Sequence, residues 1–349
     1  MKWNKAWKSL IIIFALALLS SGAQAMDVVF GVGAVFPKKV YQDWAKEYKA
    51  ETGTDFIFFA RGSGKGIEAA SAGQADFGAS DKPLTTEELK IHNLMQFPTM
   101  IGGVIPIVNI KNISEGQLHL DGAILADIYL GKIKRWNDPA IAALNPSLVL
   151  PKEVINVVHR TDKSGATFVL TDYFSKVSAE WKNTVGTGLE VSWKVGEGAD
   201  SGENLGKLIT NTPNSIGYID PVQVQQKHLA FVKMRNHDGV FVSPNRESFA
   251  AAAKNAKWSA ANAYGVSLTD QPGTESWPLT TTTYAVILRH PAEAKGVVDT
   301  LKFFDWSFRN GTVIAQNWGF ALVPTEVMQG ARDSWKAQIK DRSGNPLWK

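Results

Sequence analysis

Short apolar runs alternate along this chain with segments whose apolar positions recur every three or four residues. Residues 28–31 form the first β-prone run. Residues 40–51 follow, with Val40, Trp44 and Tyr48 at four-residue spacing on one helical face. Residues 55–60 read as a second strand, 66–72 as a helix after a glycine-rich turn, and 76–79 as a third strand. Farther on, 100–110 is one long apolar stretch, 123–130 a helix, 154–158 a strand, and 167–177 a helix carrying Phe168, Tyr173 and Phe174. Residues 215–219 and the β-branched 281–288 read as strands, and 294–306 as an amphipathic helix. This alternation predicts an α/β protein whose sheets are covered by helices. The polar or glycine-rich stretches 196–206 and 270–275 suit surface loops or crossovers.

The N-terminus stands outside this pattern. Lys2, Lys5 and Lys8 precede an apolar run over 10–19, and Ala23 and Ala25 occupy the small-residue positions of a cleavage site. That is a secretory signal, too short to span a bilayer, with cleavage expected after Ala25. No later segment is apolar for 18 residues, so no membrane span is expected. With no cysteine there is neither a disulfide framework nor a lipid-anchored N-terminus, so the product should be free in an exported compartment such as a bacterial periplasm. The length beyond residue 25 suits two domains. Loss of the three lysines takes the formal charge from +4 to +1, which leaves no nucleic-acid footprint.

Three loops that leave a strand and enter a helix carry the chemistry: residues 33–37 (GAVFP), 62–66 (GSGKG) and 162–167 (DKSGAT). Each sets small residues at a helix N-terminus, where free N–H groups and the helix dipole suit an anion. The serines in them also suit ordinary helix caps. Arg160 follows the 154–158 strand and can offer a forked contact to an oxyanion; a surface ion pair with Asp162 is its other use. Asp81 ends the run 75–81. A carboxylate beside an anion is repulsive unless the anion brings a proton to donate, so Asp81 would favour hydrogen phosphate over sulfate; otherwise it is a turn residue before Pro83.

Other chemistries lack their signatures. Phe59 and Gly66 break the nucleotide P-loop pattern around Lys65. The six histidines lack metal-ligand spacing, no G-x-S-x-G elbow is present, and His159 beside Arg160 is a weak catalytic candidate. No cofactor or metal is expected, and tryptophans such as Trp44 and Trp306 suit core packing.

Together the stretches ADFGASDKPL (75–84), QFPTMIGGV (96–104), LADIYLGKIKRWNDPAIAALNP (125–146), EWKNTVGTG (180–188), SIGYID (215–220) and LKFFDW (301–306) resemble the periplasmic phosphate-binding proteins of high-affinity phosphate ABC transporters. The resemblance runs over essentially the whole chain after the signal. It implies a two-lobed "Venus flytrap" of two mixed sheets flanked by helices, with a two-stranded hinge crossover. Lobe 1 would take residues 26–105 and 275–349, and lobe 2 residues 106–274. A monomer would capture inorganic phosphate, without turnover, and deliver it to an inner-membrane ABC permease. By the same resemblance Phe36 gives a backbone N–H, Ser63 a hydroxyl and N–H, and Asp81 accepts the ligand's proton. Arg160, Ser164 and Gly165 match in the second lobe, with Asp162 pairing the arginine. Val35 and Ala166 stand where the family usually has threonines, so two hydroxyl donors are lost while both N–H groups remain. Lys65 stands where a small residue is usual and is expected to support the anion. The two departures keep open a different tetrahedral oxyanion, or a sensor or adhesin; a phosphoesterase would need a metal pattern that Asp76, Asp81 and Asp162 lack.

Overall fold

The computed structural model describes residues 28–349; the signal peptide and its cleavage point lie outside the described residues. In chain order the first half holds β1 (Val28–Gly33), α1 (Lys38–Thr52), β2 (Asp55–Ala60), α2 (Ser63–Ser71), β3 (Phe77–Ser80), α3 (Thr86–Ile91), β4 (Leu94–Gly103), β5 (Ile105–Asn109), β6 (His119–Leu120), α4 (Gly122–Tyr129), α5 (Pro139–Leu144), β7 (Asn156–Arg160) and α6 (Gly165–Val177). The second half holds α7 (Ala179–Thr184), β8 (Glu197–Ala199), α8 (Gly202–Asn211), β9 (Ser215–Ile219), α9 (Pro221–Lys227), β10 (Ala230–Phe231), β11 (Lys233–Arg235), β12 (Phe241–Val242), α10 (Arg246–Asn255), β13 (Thr280–Leu288), α11 (Ala294–Asn310), α12 (Thr312–Asn317) and α13 (Thr325–Gln338).

Two five-stranded sheets organise these elements. The first has the order β2-β1-β3-β13-β4, the second β10-β5-β9-β7-β8. Both are mixed: β1 runs parallel to β2 and β3 while β13 runs antiparallel to β3 and β4, and β7 runs parallel to β8 and β9 while β5 runs antiparallel to β9 and β10. Parallel neighbours need helical crossovers, which explains why α1, α2 and α8 cover the sheet faces. Strands β3, β4 and β13 are buried along nearly their whole length, so they read as continuous apolar or small-residue runs.

The apolar stretch 100–110 is two strands, not one. It leaves the first sheet at Gly103 and enters the second at Ile105, with Val104 alone between them. The return passes through residues 243–245 after β12 into α10. Here the expected boundary shifts. Within residues 246–274, assigned to the second lobe by the sequence, α10 lies against β4 and β13 and Tyr284 donates its hydroxyl to the Tyr264 carbonyl, whereas Ser267 and Thr269 donate to Asp172 of α6 and the Gly273 and Thr274 carbonyls accept from Asn236. Phe249 is fully buried beside Gly103, where no side chain would fit.

The first sheet packs on an aromatic core. Tyr41 and Trp44 of α1 meet Phe56, Phe77, Phe303 and Phe304, and the Phe56 and Phe303 rings stack 3.6 Å apart. Trp44 and Trp306 are buried, Trp44 donating its indole N–H to the Gly311 carbonyl. The three-four spacing of α1 and α11 produces this core, and the core fixes where the strand ends β1 and β3 point.

Candidate functional site

One small cavity lies where the two sheets' strand ends face each other. Val35, Phe36, Gly62 and Asp81 line it from the first sheet, and Arg160, Ser164, Gly165, Ala166, Gly202, Tyr218, Asp220 and Gln223 from the second. The cavity is small, about 10 Å³, too small for a sugar or nucleotide.

The backbone supplies most of the polar character. The chain turns sharply after β1 at Gly33, whose carbonyl accepts from the N–H groups of Arg61 and Gly62 and so pins two of the three loops together. Among the described residues, the N–H groups of Val35, Phe36, Ser63, Gly165 and Ala166 have no acceptor. Buried unpaired amides are rare in proteins, and four of these residues, all but Ser63, line the one cavity, where they form a ready anion cradle. Gly165 is required by closeness: a Cβ there would lie 2.4 Å from Ser63 Oγ and 2.6 Å from Asp81 Oδ2. The two halves also touch through the Gly64 N–H, which donates to the Lys163 carbonyl at 3.2 Å.

The serines divide in role. Ser164 caps α6, its Oγ accepting from the Thr167 N–H at 3.4 Å. Ser63 caps nothing; it is the first residue of α2, fully buried, and its Oγ accepts from the Asp81 N–H at 3.0 Å. α6 begins two residues earlier than the sequence pattern indicated, which brings Gly165 and Ala166 into its first turn.

Arg160 and Asp81 supply the charge. Arg160 is 5% exposed; its Nε and Nη2 donate to the two carboxylate oxygens of Asp162 at 2.6 and 2.5 Å, leaving Nη1 available at the cavity. Asp162 thus holds the guanidinium plane and offsets part of its charge. Asp81 is 1% exposed and accepts from the Thr283 hydroxyl at 2.6 Å through Oδ1. Burial pushes its pKa up from 3.8 to about 7, the Thr283 hydrogen bond opposing that rise, Asp220 adding to it, and Arg160 opposing it.

Lys65 is a correction. It was expected to support the anion, but its Nζ pairs with Glu68 at 2.7 Å on the outer face of α2, with 65% of the side chain exposed. Residue 65 falls on the first turn of α2 on the side away from the cavity, and its i,i+3 partner holds it there. Tyr218, Asp220 and Gln223 also line the cavity, and the sequence did not mark them. Tyr218 accepts from the Arg160 N–H and shares a hydrogen bond with Thr167. Asp220 caps α9 by accepting from the Gln223 N–H at 3.0 Å and from Gln223 Nε2 at 2.6 Å; burial raises its pKa. The Asp-Pro pair that opens α9 was the readable signal for Asp220, since it ends β9 as Asp81 follows β3. Among the described residues no group of His, Cys, Asp or Glu could hold a metal, and no helix is long and apolar enough to cross a membrane.

A family model described as a PBP superfamily domain matches residues 20–310. Phosphate-binding protein PstS of Pasteurella multocida is 43% identical over 339 residues, covering 97% of this chain and 98% of its own. The protein of the same name from Haemophilus influenzae is 42% identical over 318 residues, covering 91% and 95%. Among solved structures, a human phosphate binding apolipoprotein superposes with a TM-score of 0.70 at 17% identity, covering 91% of this chain and 98% of that one. A high affinity periplasmic phosphate-binding protein bound with phosphate gives 0.69 at 19% identity, covering 89% and 94%. These structures share the two-sheet fold. With identity above 40% over nearly the full length of two relatives, and the cavity built at the fold's cleft, the chain belongs to the PstS phosphate-binding protein family.

Proposed function

We propose that this chain captures inorganic phosphate in the cavity between its two lobes and presents it to an inner-membrane ABC permease. The observation that carries the reading is the set of four acceptor-less amides, of Val35, Phe36, Gly165 and Ala166, meeting Arg160 and one buried carboxylate at a single cavity. The amides and Arg160 Nη1 suit the oxygens of a tetrahedral anion, and Asp81 suits a proton on it. Val35, Phe36, Ser63, Asp81, Arg160, Ser164, Gly165 and Ala166 are the ligand-binding residues on this reading, with Asp162 in support. On this reading the first lobe comprises residues 28–104 with 246–349, and the second residues 105–245. This placement follows the packing of α10 on β4 and β13. The protein acts as a monomer in the periplasm after cleavage behind Ala25, without a lipid anchor. Its relatives bear the names of phosphate-binding proteins, which favours binding over turnover.

Val35 and Ala166 favour a second reading within the same class, since neither can add a hydroxyl donor at the cavity they line. Calorimetric titration of dialysed protein with phosphate, arsenate and sulfate separates the two. Phosphate and arsenate binding with sulfate excluded is the expected outcome. Sulfate binding as tightly as phosphate would remove the role of Asp81 and leave a general oxyanion site.

A further inference from the structure

The cavity's selectivity rests on one carboxylate, and the structure shows what holds it. Asp81 follows β3, beside β13, whose Thr283 lies at a register shift against β4: Met100 pairs with Thr283 and Pro98 with Tyr284, so Thr99 is the extra residue. Such bulges re-aim side chains beside functional sites. Here Thr99 donates its hydroxyl to the Thr283 carbonyl at 2.9 Å and shares a 2.7 Å hydrogen bond with Tyr41. Thr283 in turn donates its hydroxyl to Asp81 Oδ1 at 2.6 Å, and Thr281 donates to the Asp81 carbonyl at 3.2 Å. Thr283 is 2% exposed, and among the described residues its hydroxyl has no other partner.

We infer that Thr283 is the positioning residue for anion selection: its hydroxyl occupies Asp81 Oδ1, turns Oδ2 toward the ligand, and holds the group as an acceptor. The inference rests on the phosphate reading of the same cavity and deepens it. A hydroxyl can donate to a carboxylate but gives nothing comparable to the neutral acid in this orientation, so it favours the ionised form. Burial works the other way, and so does Asp220 from across the cavity; Arg160 favours ionisation, and Tyr41 behind Asp81 stays neutral because burial raises its pKa. With that hydroxyl gone, Asp81 carries its own proton to higher pH. A protonated Asp81 can donate its own proton to an anion that brings none, so sulfate is no longer turned away.

The test is titration of the full chain and of Thr283→Val with phosphate and with sulfate at several pH values between 6 and 9. Thr283→Val keeps the β-branched shape and removes only the donor. The expected result is a loss of phosphate-over-sulfate preference of about tenfold near pH 7.5, and a rise of about one unit in the pH at which that preference develops. Thr283→Ser is expected to restore both. Phosphate's own ionisation is common to all the proteins and cancels from the comparison. A folded Thr283→Val protein with unchanged preference and midpoint would overturn the inference, as would a Thr283→Ser protein that fails to the same degree. If Thr283→Val does not fold, Thr283→Ala is read against the same two outcomes. Wild-type protein that binds neither phosphate nor arsenate would overturn the phosphate reading itself, and the inference with it.

Discussion

Replacing Asp81 with asparagine should make the ligand-free protein more stable at alkaline pH, not less. Asp81 is fully enclosed, and burial is the largest influence on its pKa, which rises from 3.8 to about 7. An acid whose pKa is raised on folding holds its proton more tightly in the folded state. Its ionisation therefore costs stability progressively as pH climbs past the unfolded value, and the loss is complete above the folded one. About three pKa units at about 1.4 kcal/mol each give a penalty of about 4 kcal/mol above pH 7. Asparagine cannot ionise, matches the shape, and can still accept from Thr283 through its amide oxygen. The variant and the parent should thus be equally stable near pH 4, and the variant should lead by up to about 4 kcal/mol at pH 8. Urea unfolding of phosphate-free protein between pH 4.5 and 8.5 measures the gap. Parallel stability curves across that window, or a lead that grows as pH falls, would refute the reasoning. Asp220, also buried with a raised pKa, is present in both proteins and drops out to first order.

Arg160→Ala should weaken phosphate by about tenfold to a hundredfold in calorimetry, because a charge-assisted donor is lost, and should weaken sulfate less, because losing the cation also raises the Asp81 pKa. Val35→Thr together with Ala166→Thr should tighten phosphate binding by about one to two orders of magnitude, each hydroxyl adding about 0.5–1.5 kcal/mol. Gly66→Ala should lower the melting temperature and disturb the cradle together, since a Cβ there would lie 2.4 Å from the Ala79 carbonyl oxygen and 2.8 Å from Gly33 Cα; a destabilisation above about 1 kcal/mol is expected from thermal unfolding.

Much of this site was legible because its parts are local. The three loops, Arg160 with Asp162, and the strand-end Asp81 each follow from a strand meeting a helix, and short-range pattern records that junction. What escaped was assembled at long range. Thr283 reaches Asp81 across 202 positions of sequence, through a strand pairing and a bulge that no periodicity announces. Tyr218 sits in a fully buried strand where its ring reads as core, and only its hydroxyl, bonded to Arg160 and Thr167, marks it as part of the site. The passage at Val104 was hidden for a related reason: both flanking strands are buried along nearly their whole length, so the apolar run continues through the change of sheet. Lys65 failed in the opposite sense. A cation in an anion-binding loop looks purposeful until the helical turn carries it around to Glu68.

Val104 bears on how this molecule can tolerate alteration. Its N–H donates to the Leu279 carbonyl and its carbonyl accepts from the Trp277 indole, so the one residue between the sheets is stitched on both sides. Because successive strand residues face opposite ways, a single amino acid inserted there would turn every side chain of β5 inside out, while the same insertion in the exposed stretch 237–240 would be absorbed. Any reporter group or fused domain therefore belongs in the latter stretch, and the spine of the molecule must keep its length.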